Sequence, residues 1–241
     1  ATVSDDEILC TNDAFNVTHT NLDPNDILNL NWTPSNLFSC NPQDDPTPTI
    51  NPIPGEQTIY VEATNQFGCS STANKVIVLN SKPDSFINGI DTICELSSAG
   101  YKTAPGIAYS WSVLNGTIVK GTGTDSVQIR WPRKNTEHTL SVSITNANGC
   151  SSVANKDVFV NAKPDSVIYG PDTLCELSSA IYSSKNGSSY SWSVSNGTIT
   201  GGKGTDSINV RWPRKNTSHS LAVGIINKEG CSSSASKNVF V

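Results

Sequence analysis

Tyr190-Ser191-Trp192-Ser193-Val194-Ser195-Asn196-Gly197-Thr198-Ile199 is the stretch that decides the fold. Tyr190, Trp192 and Val194 alternate with three serines, the period of two that marks a strand with one apolar and one hydroxylated face. Asn196-Gly197 is a tight-turn signal leading into a second strand. The same unit stands earlier as Tyr109-Ser110-Trp111-Ser112-Val113-Leu114-Asn115-Gly116-Thr117-Ile118, and a looser copy surrounds Leu30-Asn31-Trp32-Thr33. The chain therefore reads as a small tandem array. Each unit is organised around one tryptophan, and Trp32, Trp111 and Trp192 are expected at the core.

The repeat extends far beyond these ten residues. Residues 80–160 and 161–241 align without a gap at a period of 81, with well over half of the positions identical. Cys94-Glu95-Leu96-Ser97-Ser98 matches Cys175-Glu176-Leu177-Ser178-Ser179. Arg130-Trp131-Pro132-Arg133-Lys134 matches Arg211-Trp212-Pro213-Arg214-Lys215, and Gly149-Cys150-Ser151-Ser152 matches Gly230-Cys231-Ser232-Ser233. Residues 1–79 form a diverged first unit, in which Gly68-Cys69-Ser70-Ser71 holds the same register. Three domains are thus expected, 1–79, 80–160 and 161–241. In the third, seven strands are expected: A near 165–169, B near 178–183, C near 189–195, a short C′ near 198–200, E near 206–211, F near 220–226 and G near 233–241. Closely spaced turns between short strands predict an all-β chain of three immunoglobulin-like sandwiches. The joins Asn80-Ser81-Lys82-Pro83 and Asn161-Ala162-Lys163-Pro164 are short and stiffened by proline, which favours an elongated rod.

Composition supports thin domains with small cores. The 241 residues are 36% hydrophobic and contain no methionine. Charge is sparse at 15%, with a net −5, so no basic face for nucleic acid is expected. No apolar run is long enough to span a membrane. No signal peptide is visible; either Ala1 follows a cleaved leader or the segment belongs to a longer chain. Seven cysteines without metal-type clustering point to an oxidising compartment.

The ordered series Cys, Tyr-x-Trp-x-Val, Asn-Gly-Thr-Ile, Gly-x-Gly-Thr-Asp-Ser and Asn-x-x-Gly-Cys resembles PKD-like domains. These are immunoglobulin-like repeats of large secreted surface proteins of Bacteroidota, gliding-motility adhesins among them. The first unit resembles a sister repeat through Trp32-Thr33-Pro34, Cys40-Asn41-Pro42, Thr58-Ile59-Tyr60-Val61 and Asn65-Gln66-Phe67-Gly68-Cys69. The resemblance implies export to the cell surface and a stalk or adhesive role. It brings no catalytic residues, no cofactor, and neighbouring repeats as partners.

Candidate chemistry is thin. His138 and His219 occupy equivalent positions expected to be exposed at the start of strand F, His19 stands apart, and no nucleophile-elbow motif accompanies them. Trp131 and Trp212 read either as rim residues closing the sandwich bottom or as exposed aromatics for glycan contact beside Arg130 or Arg211. The latter would suit a carbohydrate-binding module of a secreted enzyme. Arg133-Lys134 and Arg214-Lys215 read as solvated loop charges. Asp44-Asp45 and Asp125 are candidate calcium ligands or, equally simply, turn residues. Asp-Ser/Thr-aliphatic triplets place candidate O-glycosylation acceptors at Thr92, Ser126, Ser166, Thr173 and Ser207, following a pattern that resembles the one used by exported Bacteroidota proteins. The Asn-Gly-Thr sequons at Asn115 and Asn196 read as hairpin turns.

Two disulfide schemes are open. Pairing within units would join Cys94 to Cys150 and Cys175 to Cys231. Yet Cys94 precedes strand B and Cys150 follows the F–G turn, at opposite ends of an immunoglobulin-like sandwich. Strands of about six residues would hold them roughly 20 Å apart, and a disulfide needs Cα atoms within about 7 Å. Pairing across the joints avoids this. It joins Cys94 to Cys231 and Cys10 or Cys40 to Cys150, and leaves Cys69 and Cys175 to neighbours outside the segment. A shifted strand B would restore the first scheme.

Overall fold

The computed structural model describes residues 9–11, 27–38, 49, 51, 53–132, 137–213 and 218–241. Cys40, His19, Asp44, Asp45, Arg133, Lys134, Arg214 and Lys215 lie outside the described residues.

In the first unit the described strands are β1 (Leu9–Cys10), β2 (Ile27–Thr33), β3 (Gly55–Asn65) and β4 (Ser70–Asn80). They form one sheet in the order β1-β4-β3-β2. The second unit contains β5 (Thr92–Cys94), β6 (Ser98–Lys102), β7 (Ala108–Leu114), β8 (Thr117–Lys120), β9 (Ser126–Arg130), β10 (Thr139–Thr145), β11 (Ser151–Asp157) and β12 (Phe159–Asn161). The third contains β13 (Ser179–Ser183), β14 (Ser189–Ser195), β15 (Thr198–Gly201), β16 (Ser207–Arg211), β17 (His219–Ile226) and β18 (Ser232–Val239). Each of these two units packs a β6-β9-β8 type sheet against a β7-β10-β11 type sheet, which become β13-β16-β15 and β14-β17-β18 in the third.

The serine alternation does what the period of two dictates. Trp192 lies opposite Val223 on β17, and Leu221, Val223 and Ile225 of that strand are buried beside it. Ser191, Ser193 and Ser195 face outward. In the second unit Leu140, Val142 and Ile144 are completely buried, and burial of such a side chain contributes about 1.5–3 kcal/mol. On the opposite face of β10, hydroxyls bridge to β11: Thr139 donates to Asp157 Oδ1 at 2.9 Å and Ser141 to Asn155 Oδ1 at 2.6 Å. A small core is thus covered by a polar outer face.

Three sequence expectations need correction. First, Asn196-Gly197 does not close a hairpin. The strand that follows, β15, pairs with β16 of the other sheet, so it is a D-type strand and not C′. The chain crosses between sheets because Asn196 takes φ 56° and Gly197 lies against the Trp212 ring, where an added Cβ would stand 2.8 Å from the ring edge. Asn196 Nδ2 pins the corner by donating to Ser218 O at 2.8 Å. Asn115-Gly116 repeats this corner in the second unit. Second, strand A forms no continuous ladder. Ser152 Oγ and Ser233 Oγ donate to the carbonyls of Pro83 and Pro164 at one sheet. Five residues on, Asn88 and Tyr169 bridge to Lys102 and Ser183 in the other sheet. The segment switches sheets, and each proline lacks the N–H that a ladder would use.

Third, the histidines and the second tryptophan are interior. Trp131 and Trp212 are 0% exposed, whereas Trp111 and Trp192 are 5% exposed. Trp131 packs edge-on against Tyr101 at 6.0 Å and against His138 at 5.6 Å. Trp212, Tyr182 and His219 repeat the cluster. His138 and His219 are 4% exposed, not surface residues. Each Nδ1 stands 2.9 Å from the carbonyl of Asn115 or Asn196. A carbonyl only accepts, so each Nδ1 carries the proton. These rings close the sandwich bottom from within, and the exposed-aromatic reading of Trp131 and Trp212 falls with that burial.

Candidate functional site

A repeated set of specific side-chain contacts lies where one unit meets the next. Its first component is a turn. Asn146-Ala147-Asn148-Gly149-Cys150 connects β10 to β11, and Asn146 Oδ1 accepts the N–H groups of Asn148 and Cys150, both at 3.1 Å. Gly149, at φ 79°, donates to Asn146 O at 3.0 Å. Only a residue without Cβ takes that φ without strain. The asparagine thus folds the turn with one end of its amide and has the other end for a neighbour. Its Nδ2 donates to Ser81 O in the linker at 2.8 Å.

The second component is a strand end. Leu9 and Cys10 run parallel to Leu79 and Asn80 at the end of β4. Thr11 N–H donates to Asn80 O at 2.8 Å, and Lys82 N–H donates to Thr11 Oγ1 at 3.2 Å. This places Cys10 against the turn of the second unit, where it is bonded to Cys150 with a Cα separation of 5.6 Å.

The joint between the second and third units has the same construction. β5 runs parallel to β12, pairing Cys94 with Asn161. Glu95 N–H donates to Asn161 O at 2.8 Å, and Glu95 Oε1 accepts the N–H of Lys163 at 3.0 Å. From the third unit, Asn227 Nδ2 donates to Ala162 O at 2.9 Å. Cys94 is bonded to Cys231, again with Cα atoms 5.6 Å apart. Cys150 and Cys231 are completely buried. Cys150 takes Cys10 as its partner, not Cys40. The sequence signal missed here was the asparagine of Asn-x-x-Gly-Cys, whose amide ties the turn to the linker.

The remaining candidate positions are dispersed. Cys69 and Cys175 are exposed thiols. Thr92, Thr173 and Ser126 are exposed, while Ser166 and Ser207 are half-buried. Thr92 and Thr173 stand beside Phe159 and Phe240, which are 69% and 70% exposed. Asp125 faces Lys102 at 3.5 Å. Among the described residues no group of three or more His, Cys, Asp or Glu side chains gathers, and no helix is long and apolar enough to cross a membrane.

A model of the PKD-like domain matches residues 81–158 and again residues 161–241. The chain belongs to the PKD-like domain family. No curated protein sequence matches it. Among solved structures, Bacteroides ovatus mixed-linkage glucan utilization locus SGBP-B, in complex with a mixed-linkage heptasaccharide, is 15% identical with a TM-score of 0.22. That similarity covers 96% of this chain and 63% of the B. ovatus chain. The human desmocollin-1 ectodomain is 13% identical over 97% of this chain and 56% of its own, with a TM-score of 0.27. Clostridium thermocellum CbhA fibronectin(III)-like modules are 10% identical over 64% of this chain and 88% of theirs, with a TM-score of 0.32. At such scores these likenesses carry no argument about function. The PKD-like units are characterised by their joints.

Proposed function

We propose that this chain is a stalk segment of an extracellular surface protein, built to hold successive PKD-like units in a fixed direction. The observation that carries the reading is the repeated joint, in which a disulfide, a parallel strand pair and an asparagine amide all converge on a linker of a few residues. Buried disulfides suit an oxidising, exported location. Each closes a loop, spanning 140 residues in one case and 137 in the other, and by chain-entropy scaling stabilises the fold by about 5 kcal/mol. That investment serves direction and load. It fits a role in a Bacteroidota adhesin or filament, where the units present a distal binding part and do no chemistry themselves. Thr92 and Thr173, exposed in Asp-Thr-aliphatic triplets, are the acceptors we favour for O-glycans on such a stalk.

Protease treatment of intact native cells tests the location. Release of peptides from residues 80–241 without lysis is expected; recovery only after lysis, with reduced cysteines, would sink the reading. Small-angle scattering tests the stiffness, with one extended, well-defined particle expected when oxidised and a broader distribution after reduction. Intact mass of native-host protein above the sequence mass is expected from the glycans.

A further inference from the structure

The described residues contain two bonded copies of one joint and two unused halves of it. Cys69 stands in the first half. Asn65 Oδ1 accepts the N–H groups of Phe67 and Cys69 at 3.0 and 2.9 Å, Gly68 has φ 78°, and Gly68 N–H donates to Asn65 O at 3.0 Å. This is the turn that presents Cys150 and Cys231 to their partners. Cys175 stands in the other half. Thr173 bridges in parallel to Phe240 as Thr92 pairs with Phe159, and Phe240 N–H donates to Asp172 O at 2.7 Å as Phe159 N–H does to Asp91 O. Leu177 follows at φ 62°, matching Leu96 at φ 61° behind Cys94. Each exposed thiol therefore sits in a backbone frame whose equivalent is disulfide-bonded elsewhere in the same chain.

We infer that Cys175 and Cys69 are each bonded to a further unit of the same fold in the same polypeptide. Cys175 takes the cysteine of an Asn-x-x-Gly-Cys turn in a unit beyond residue 241. Cys69 is taken by a cysteine just ahead of strand B in a unit before residue 1. A neighbour on the same polypeptide fits better than a second copy. At both existing joints the turn asparagine and a following serine donate to carbonyls of the linker itself, at Ser81 and Pro83 or at Ala162 and Pro164. Those carbonyls are in place only where one unit runs directly into the next. Each new bond forms as two thiols give up two protons and two electrons to a disulfide donor, which leaves as a dithiol.

The inference deepens the stalk reading and rests on it. Its test is non-reducing peptide mapping of the full-length native protein, alkylated before digestion. The expected map links Cys175 to a downstream Gly-Cys peptide and Cys69 to an upstream peptide, with the alkylated forms at background. Recovery of either cysteine alkylated, or linkage of Cys69 to Cys175 within one chain or between two, overturns the inference. The same map separates the two readings. Loss of the Cys10–Cys150 and Cys94–Cys231 peptides would sink the stapled stalk itself, whereas their presence beside alkylated Cys69 and Cys175 sinks only this extension.

Discussion

Trp131 Nε1 donates to Tyr101 Oη at 3.1 Å, and the equivalent atoms in the third unit, Trp212 Nε1 and Tyr182 Oη, are buried facing one another in a looser contact of the same kind. The rings pack alike, edge-on at 6.0 Å in both units. Two repeats thus share a core shape and differ in how closely the indole and the phenol are joined. Replacing a tyrosine by phenylalanine should therefore act differently in each. Y101F strands a buried indole N–H and should cost about 1–3 kcal/mol, while Y182F removes a looser partner of the Trp212 N–H and should cost less. Denaturant unfolding of the two variants checks this; equal losses would show that the closer approach in the second unit does not matter.

The same tyrosines set an alkaline limit. Burial pushes the Tyr101 phenol above its usual value, against the pull of the Trp131 N–H and with a further upward push from Asp91. Tyr182 is raised in the same direction, chiefly by burial, against the pull of the Trp212 N–H. The neutral phenol is the form the fold favours. Its contribution is complete below the unfolded value of about 10 and is lost as pH rises through the higher folded value. Melting temperature should fall above pH ~10, with a shallower fall for Y182F than for the parent chain. Identical slopes would assign the alkaline loss to other groups.

Core truncations should rank by what they remove. W192A and W212A should each cost about 3–5 kcal/mol, enough to unfold a domain at the low end of the usual range of about 5–15 kcal/mol. G197A tests the corner from the other side, because its new Cβ would meet Val194 and Trp212 at 2.7 and 2.8 Å, and overpacking of that kind costs about 1–3 kcal/mol. An undiminished melting transition in W192A or G197A would refute the corresponding packing argument.

What the sequence reveals and conceals follows from the range of each interaction. The alternation of Tyr190, Trp192 and Val194 is local, so the strand and its buried face are legible in seven residues. Asn196-Gly197 is also local, but it reports only a turn. Which sheet receives the next strand depends on Gly197 meeting Trp212, fifteen residues away, and no pattern within the turn records it. Trp212 itself follows its strand and precedes a proline, a position that reads as rim; its burial comes from Tyr182 and His219 closing over it. At the joints, strand polarity places Cys94 and Cys150 at opposite poles. The asparagine amides that hold the linkers act between units and leave no periodic trace.

The order of the cysteines along the chain has a mechanical consequence. The staples interleave: Cys94 lies between Cys10 and Cys150, and Cys150 lies between Cys94 and Cys231. Pulling on the chain outside these residues sends force from Cys10 through sulfur to Cys150, and from Cys231 through sulfur to Cys94. Three backbone paths then run in parallel between the staples, and the shortest, Cys94 to Cys150, has 56 steps. At about 3.5 Å per residue it becomes taut at roughly 200 Å even if all three units unfold. Without staples the 221 steps from Cys10 to Cys231 would reach roughly 770 Å on the same scale. Removing one staple as C94S/C231S leaves the 81 steps from Cys150 to Cys231 as the limit, or roughly 280 Å. Single-molecule pulling should therefore give a taut length for this interval that rises modestly when one staple is lost and almost fourfold when both are reduced. Release of the full contour from the oxidised chain would show that the staples do not bear the load.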